Sequence, residues 1–367
     1  MLVLATLVLL ALGYPDQSSF RIYEAASLAW WSGTNPYSAG IHGFLYLPAS
    51  LVLFTPFAVL GPAIGGILWC TLSAGLYVSG MFRLSWQLSS TLPWQVVGAA
   101  LLAVWFSLNF NLSDGQAQVV VTGLLLHAAA NIGQARWPRA AVQLALAVAF
   151  KPIAVATLGM AFVLYPPLRK WLLLTMLFVV VLPFLNSNPI FVTTAYHAAL
   201  VKLFVAGTPS RDAWPWGTDI STLLDAVGLR LNILSQFVLR ILAALATLSV
   251  AIRAKKLDQW NASFVLLILS LVYLTLFNPR CESVSYVALT PGIGLCAGLQ
   301  LSRNWHAPLG WLLLVGGVAL GVQWGRTIDG WLKPAIALGY FILIIGAVAW
   351  RCRAQWLGTG ATATADT

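Results

Sequence analysis

Only 8% of the 367 residues carry a charge, so each acid or base that interrupts an apolar stretch stands out chemically. Four carboxylates sit where apolar runs end: Asp16, Glu24, Asp114 in the stretch NLSDGQAQ, and Glu282 in the stretch NPRCES. Three cations sit in similar places: Arg21, Arg280, and Lys151 just ahead of Pro152. A carboxylate so placed can take a proton from a hydroxyl nucleophile, and a lysine or arginine can hold an anion. Lys151 is the best phosphate ligand of the set, because a cation inside apolar sequence is costly and is normally matched by an anionic partner.

Each of these residues also has a plainer use. Asp16 and Asp114 both precede helical segments and can act as N-terminal caps. Glu24 can pair with Arg21 one turn away on a helix, and Glu282 with Arg280. Lys151 can extend its ammonium to the membrane surface, and Arg21 can meet lipid headgroups. Tyr37, Gln116, Glu24, Glu282 and His197 are the candidates for substrate contact, although a lone loop histidine more often has no such role. Trp30, Trp31, Trp214 and Trp216 can stack on sugar rings, but indoles at this level more commonly anchor a protein at the headgroups.

No HExxH, CxxC, paired DxD or glycine-rich phosphate loop occurs, so neither a metal-dependent nucleotide-sugar transferase nor an ATPase is supported, and no cofactor or metal is expected. Four cysteines without paired spacing argue against redox chemistry. The net charge of +10 is spread in short basic pairs between apolar runs, which is the pattern of orientation signals and argues against a nucleic-acid partner.

The elements that must position these residues are helices in a membrane. With 60% hydrophobic residues and a mean hydropathy of +0.85, the chain is too apolar for a water-soluble globule, and lipid-facing backbone must be helical. The fold class expected is therefore an all-α polytopic membrane protein. Apolar runs lie near 1–14, 43–60, 62–82, 93–112, 116–133, 139–150, 152–166, 171–186, 232–252, 259–278, 283–301, 308–325 and 331–350.

The positive-inside rule should place Arg83, Arg136, Arg139, Arg169, Lys170, Arg253, Lys255, Lys256, Arg303, Arg351 and Arg353 in the cytoplasm. Strict alternation of all the runs fails to do so. It succeeds if 43–60, interrupted by Pro48 and Pro56, is re-entrant or juxtamembrane, and if 139–166 is two short helices broken at Lys151-Pro152. That leaves about twelve spans, both termini inside, and 15–61, 111–118, the Lys151 break, a loop over 187–231 and 278–283 converging outside. The first run, MLVLATLVLLALG, lacks a basic start and a small-residue cleavage site, so it is expected to be a short first span. One transmembrane domain over 1–353 is expected, with a motif-bearing half over 1–186, the outer loop, C-terminal helices over 232–353, and a disordered tail over 354–367.

Residues 19–32 read as an amphipathic helix at the outer interface, closed by a turn through Gly33 and Pro36. Four stretches in order, SFRIYEAASLAWWSGTNPY, FLYLPASLVLFTPF, DGQAQVVVTGLLL and ALAVAFKP, resemble the membrane glycosyltransferases of family 87, a polyprenyl-phosphate-mannose-dependent group of the GT-C superfamily. FNPRCESVSYVALTP resembles a late motif of some members. The resemblance implies a GT-C-like fold, a polyprenyl-phosphate sugar donor, a hexose such as mannose, and a glycan or glycolipid acceptor outside the cell membrane. Members of that family usually carry an Asp four residues before the tyrosine of the first motif, where this chain has Ser19. The expected catalytic base is then Asp16, three residues upstream, or Asp114, with Lys151, Arg280 and Arg21 on the donor phosphate. A flippase of lipid-linked sugar, or a family member without catalysis, are the other readings, the second suggested by Ser19.

Overall fold

The computed structural model describes residues 18–39, 43–89, 92–207 and 217–356, with side chains as far as Arg351. The expected span over 1–14, Asp16, Trp214, Trp216 and the tail from residue 357 lie outside the described residues. Helices follow one another as α1 (Ser19–Trp31), α2 (Pro48–Ala58), α3 (Gly61–Leu88), α4 (Pro93–Asp114), α5 (Ala117–Gly133), α6 (Trp137–Phe150), α7 (Val155–Leu164) and α8 (Pro166–Val181). The chain continues through α9 (Pro189–Gly207), α10 (Ile220–Ala226), α11 (Ile233–Ala254), α12 (Gln259–Leu276), α13 (Thr290–Arg303), α14 (Pro308–Gly321) and α15 (Arg326–Trp356). No strand occurs among the described residues.

Among the described residues, seven helices are long and apolar enough to cross a membrane: α3, α4, α8 with its extension to Leu185, α9, α11, α12 and α15. Their outward faces carry large, exposed apolar side chains, such as Ile190, Phe204, Leu234 and Phe237. A soluble monomer does not display apolar surface on this scale, whereas lipid covers it without cost. The described residues make an all-helical, multi-pass membrane protein.

Of the two prolines expected to interrupt the 43–60 run, Pro48 does so and Pro56 does not. Pro48 starts α2 and Pro56 lies inside it, and at 11 residues α2 spans about 16 Å, roughly half of a hydrocarbon core. The break before Pro152 is also present: Lys151 takes an extended conformation (φ −148°, ψ 106°), ending α6 and leading into a single 3-10 turn before α7. The segment 187–231 differs from the loop the sequence suggests, because Pro189–Gly207 is a 19-residue helix and Ile220–Ala226 a short one.

Helix α5 is the axis of the bundle, with all of its residues from Ala117 to Gly133 buried, and it packs on α3, α6 and α12. Small residues allow the backbones to approach. A Cβ on Gly123 would lie 2.7 Å from the backbone of Leu76, and one on Gly298 of α13 would lie 2.6 Å from the Val96 carbonyl oxygen of α4. These contacts, with the packing of α6 on α5, set where the ends of α4, α5 and α6 emerge, and those ends carry Asp114, Gln116 and Lys151.

Candidate functional site

Helix α4 stops because Gly115 adopts a left-handed conformation (φ 72°), and the Gln116 N–H then donates to the Asn111 carbonyl at 3.0 Å. This turn leaves Asp114 beside the first turn of α1. Its Oδ2 accepts from Ser19 Oγ at 2.7 Å and from Gln116 Nε2 at 2.9 Å, and its Oδ1 accepts from the Ser19 backbone N–H at 3.3 Å. The carboxylate therefore caps a helix 95 residues away in sequence rather than its own neighbour, and it is fixed in one orientation by three donors.

Ser19 and Gln116 line a cavity of about 490 Å³, together with Tyr23, Tyr46, Lys151, Arg280 and Glu282. The volume is sufficient for a small polar ligand such as a phosphate with a sugar. Tyr23 on α1 and Tyr46 in the loop before α2 share a hydroxyl contact of 3.0 Å, and the Ala117 N–H donates to the Tyr23 hydroxyl at 3.4 Å. Burial pushes the Tyr23 phenol up to about 12, against its hydrogen bonds to Tyr46 and Ala117, and burial raises Tyr46 further. Both phenols stay protonated, and either can be the donor in the contact they share.

Lys151 reaches the cavity because the backbone break turns its side chain out of the α6 ladder. Among the described residues its ammonium makes no hydrogen bond and no ion pair within 4 Å, while Glu282 acts on it electrostatically. Arg280 and Glu282 stand on the loop between α12 and α13, and burial lowers the Arg280 guanidinium, with Glu282 and Tyr46 acting against that shift. Glu282 also starts a 3-10 turn, its N–H donating to Ser285 Oγ at 3.2 Å. Neighbouring Cys281 is fully buried and its thiol is pushed up to about 12, which makes it unreactive.

Other sequence candidates lie elsewhere. Arg21 pairs with Glu24 at 2.5 Å across one turn of α1, and neither lines the cavity. The Tyr37 hydroxyl donates to the Tyr46 carbonyl at 2.9 Å, supporting the loop behind the cavity wall. His197 is exposed on α9 and lines, with Tyr37 and Lys202, a separate shallow depression. Trp30 is fully buried against Phe191, with ring centroids 5.1 Å apart, and belongs to the core, whereas the Trp31 indole donates to Thr55 Oγ1 at 2.7 Å. No group of three or more metal-ligating side chains occurs among the described residues.

Sequence reasoning missed Tyr46 and the buried ion pairs behind the 277–283 loop. Arg240 of α11 pairs with Asp219 at 2.9 Å and donates from Nε to the Phe277 carbonyl at 3.0 Å. Lys333 pairs with Asp329 at 3.5 Å and donates to the Ser283 carbonyl at 3.3 Å. Thr218 donates twice to the Cys281 carbonyl, from N at 2.8 Å and from Oγ1 at 3.1 Å. Three carbonyls of the loop bearing Arg280 and Glu282 are thus held from below. Arg240, midway along an apolar run, is marked in the sequence as a charge in need of a partner, which only the structure names; Lys333 gives the same signal, as does Lys151.

No protein-family model matches the chain, and no curated protein matches it either.

Proposed function

We propose that this chain is an integral membrane glycosyltransferase of GT-C-like fold that moves a hexose, such as mannose, from a polyprenyl-phosphate carrier to a glycan or glycolipid acceptor outside the cell membrane. The observation that carries the reading is Lys151: a cation facing a cavity of about 490 Å³ without a hydrogen-bonded partner among the described residues, with a fixed carboxylate behind Ser19 and Gln116 on the same wall. A cation without a hydrogen-bonded partner in such a place favours an anionic ligand.

In a single displacement the acceptor oxygen attacks the anomeric carbon as the bond from that carbon to the phosphate oxygen breaks, inverting the centre. The acceptor proton passes to the Ser19 hydroxyl, which lines the cavity, as that hydroxyl gives its own proton to the Asp114 carboxylate behind it, and the electron pair of the broken bond remains on the phosphate, facing Lys151 and Arg280. Ser19 fits this scheme. Where the resembling family carries an acid, its hydroxyl donates to Asp114 at 2.7 Å, so a carboxylate reaches nearly the same point from α4. Asp16 is the second candidate for the base.

About twelve spans place the site outside if α6 and α7 are counted as short crossings on either side of Lys151 and α9 lies along the outer interface. Two contacts support that position for α9. Asn186, ahead of it, donates to the Trp30 carbonyl at the end of α1, and Lys202, near its end, donates to the Tyr37 carbonyl. It thus runs beside the α1 segment without crossing away from it.

Transfer from a polyprenyl-phosphate sugar by purified protein tests the reading. Lys151→Ala is expected to lower kcat/KM by about 10²–10³. Full activity in that variant would remove the phosphate-binding proposal.

A further inference from the structure

Helix α5 opens with two glutamines that are used differently. Gln116, just ahead of the first turn, donates its amide to Asp114 at 2.9 Å. Gln118, within that turn, lines the same cavity, and its carboxamide makes no hydrogen bond among the described residues. The residue is only 7% exposed, yet the carboxamide is not sealed from the cavity. Its backbone carbonyl is taken by Thr122 Oγ1 at 2.7 Å, so the turn that carries it is held in place. The other neutral polar side chains on the wall are engaged within the protein. Ser19 donates to Asp114, Tyr23 meets Tyr46, and Thr275 donates to the Leu271 carbonyl. Asn278 Oδ1 accepts the Arg280 N–H, and Ser285 Oγ accepts the Glu282 N–H. A carboxamide buried to this extent without a partner is costly, and a ligand in the cavity removes the cost.

The chemistry of the amide narrows what that ligand can be. A carboxamide presents N–H donors and a carbonyl acceptor side by side. A phosphate diester offers acceptors alone, so it would satisfy Nε2 and leave Oε1 unpaired, and a cation would do the reverse. A hydroxyl both donates and accepts, and two hydroxyls on neighbouring carbons can meet both ends of the amide at once. A sugar ring carries that pattern, and the rings of Tyr23, Phe44 and Tyr46 on the same cavity wall suit its apolar face.

We propose that Gln118 is a specificity-determining residue that reads the hydroxyls of the donor sugar, in the cavity whose Lys151 faces the phosphate. The inference rests on the glycosyl-transfer reading above and adds the side chain that recognises the sugar as distinct from its carrier.

Calorimetric binding of two short isoprenyl phosphate diesters to the detergent-solubilised full chain tests it. One diester carries a hexose, mannose or glucose, whichever binds tighter, and the other carries a methyl group, so the two have the same single negative charge and differ only in the sugar. Wild type is expected to bind the sugar diester about tenfold or more tighter than the methyl diester, the scale of one or two neutral hydrogen bonds. Gln118→Leu, similar in size and without a polar end, should reduce that ratio by about tenfold through the sugar diester alone, leaving the methyl diester bound as in wild type. Gln118→Met serves the same purpose if the Leu variant does not fold. An unchanged ratio in Gln118→Leu, whether both affinities hold or both fall together, would overturn the role of Gln118 and leave the transferase reading standing. Failure of wild type to bind either lipid, or to prefer the sugar diester, would overturn both.

Discussion

At the scale of single residues, the Ser19–Asp114 pair decides how the site is read. A serine in place of an acid would by itself suggest lost chemistry, but the hydroxyl donates at 2.7 Å to a carboxylate brought by another helix. Ser19, Gln116 and the Ser19 N–H together hold Asp114 in one orientation. Removing the hydroxyl should let the carboxylate rotate and leave it less well solvated by the protein. Ser19→Ala is therefore expected to lower kcat by about 10–100-fold, the equivalent of one hydrogen bond to a charged group, with donor KM little changed. Steady-state kinetics with donor varied check this, and an effect confined to KM would place Ser19 in donor binding instead.

At the scale of elements, the cavity depends on helix ends and one loop. The loop carrying Arg280 and Glu282 is held through its carbonyls by Arg240, Thr218 and Lys333. Arg240 and Asp219 are both largely buried, so removing either leaves a charge without its partner. Arg240→Ala is expected to cost about 3–5 kcal/mol, read as a lowered Tm in detergent, while a change at the exposed Arg230 should be nearly silent.

The local breaks were legible in sequence because they follow from proline chemistry: Lys151-Pro152 divides one apolar stretch, and Pro48 starts a helix too short to cross. Helix α9 was not legible. Thr193, Thr194, His197 and Lys202 dilute its apolar character, so a 19-residue helix reads as a loop. The Asp114 contact and the Asp219–Arg240 pair were not legible either, since they join residues 95 and 21 positions apart with no local pattern to announce them.

At the scale of the whole molecule, orientation links the charges to the site. If the basic clusters face the cytoplasm, the Ser19, Asp114, Lys151 and Arg280 end of the bundle faces outward, where lipid-borne sugars and acceptors meet. Single cysteines placed on a cysteine-free background test this with a membrane-impermeant maleimide. Ser38→Cys should react in intact cells and Asn304→Cys only after permeabilisation, both positions being exposed. The reverse pattern would turn the site inward.

The measurement that bears most directly on the central claim is sugar transfer by purified Asp114→Asn. Asparagine retains the size of aspartate and can still accept hydrogen bonds from Ser19 and Gln116, so the helix packing should survive while the base is lost. The account predicts a wild-type Tm with activity reduced by about 10²–10⁴. Transfer at the wild-type rate by the folded variant would contradict it and move the base away from Asp114.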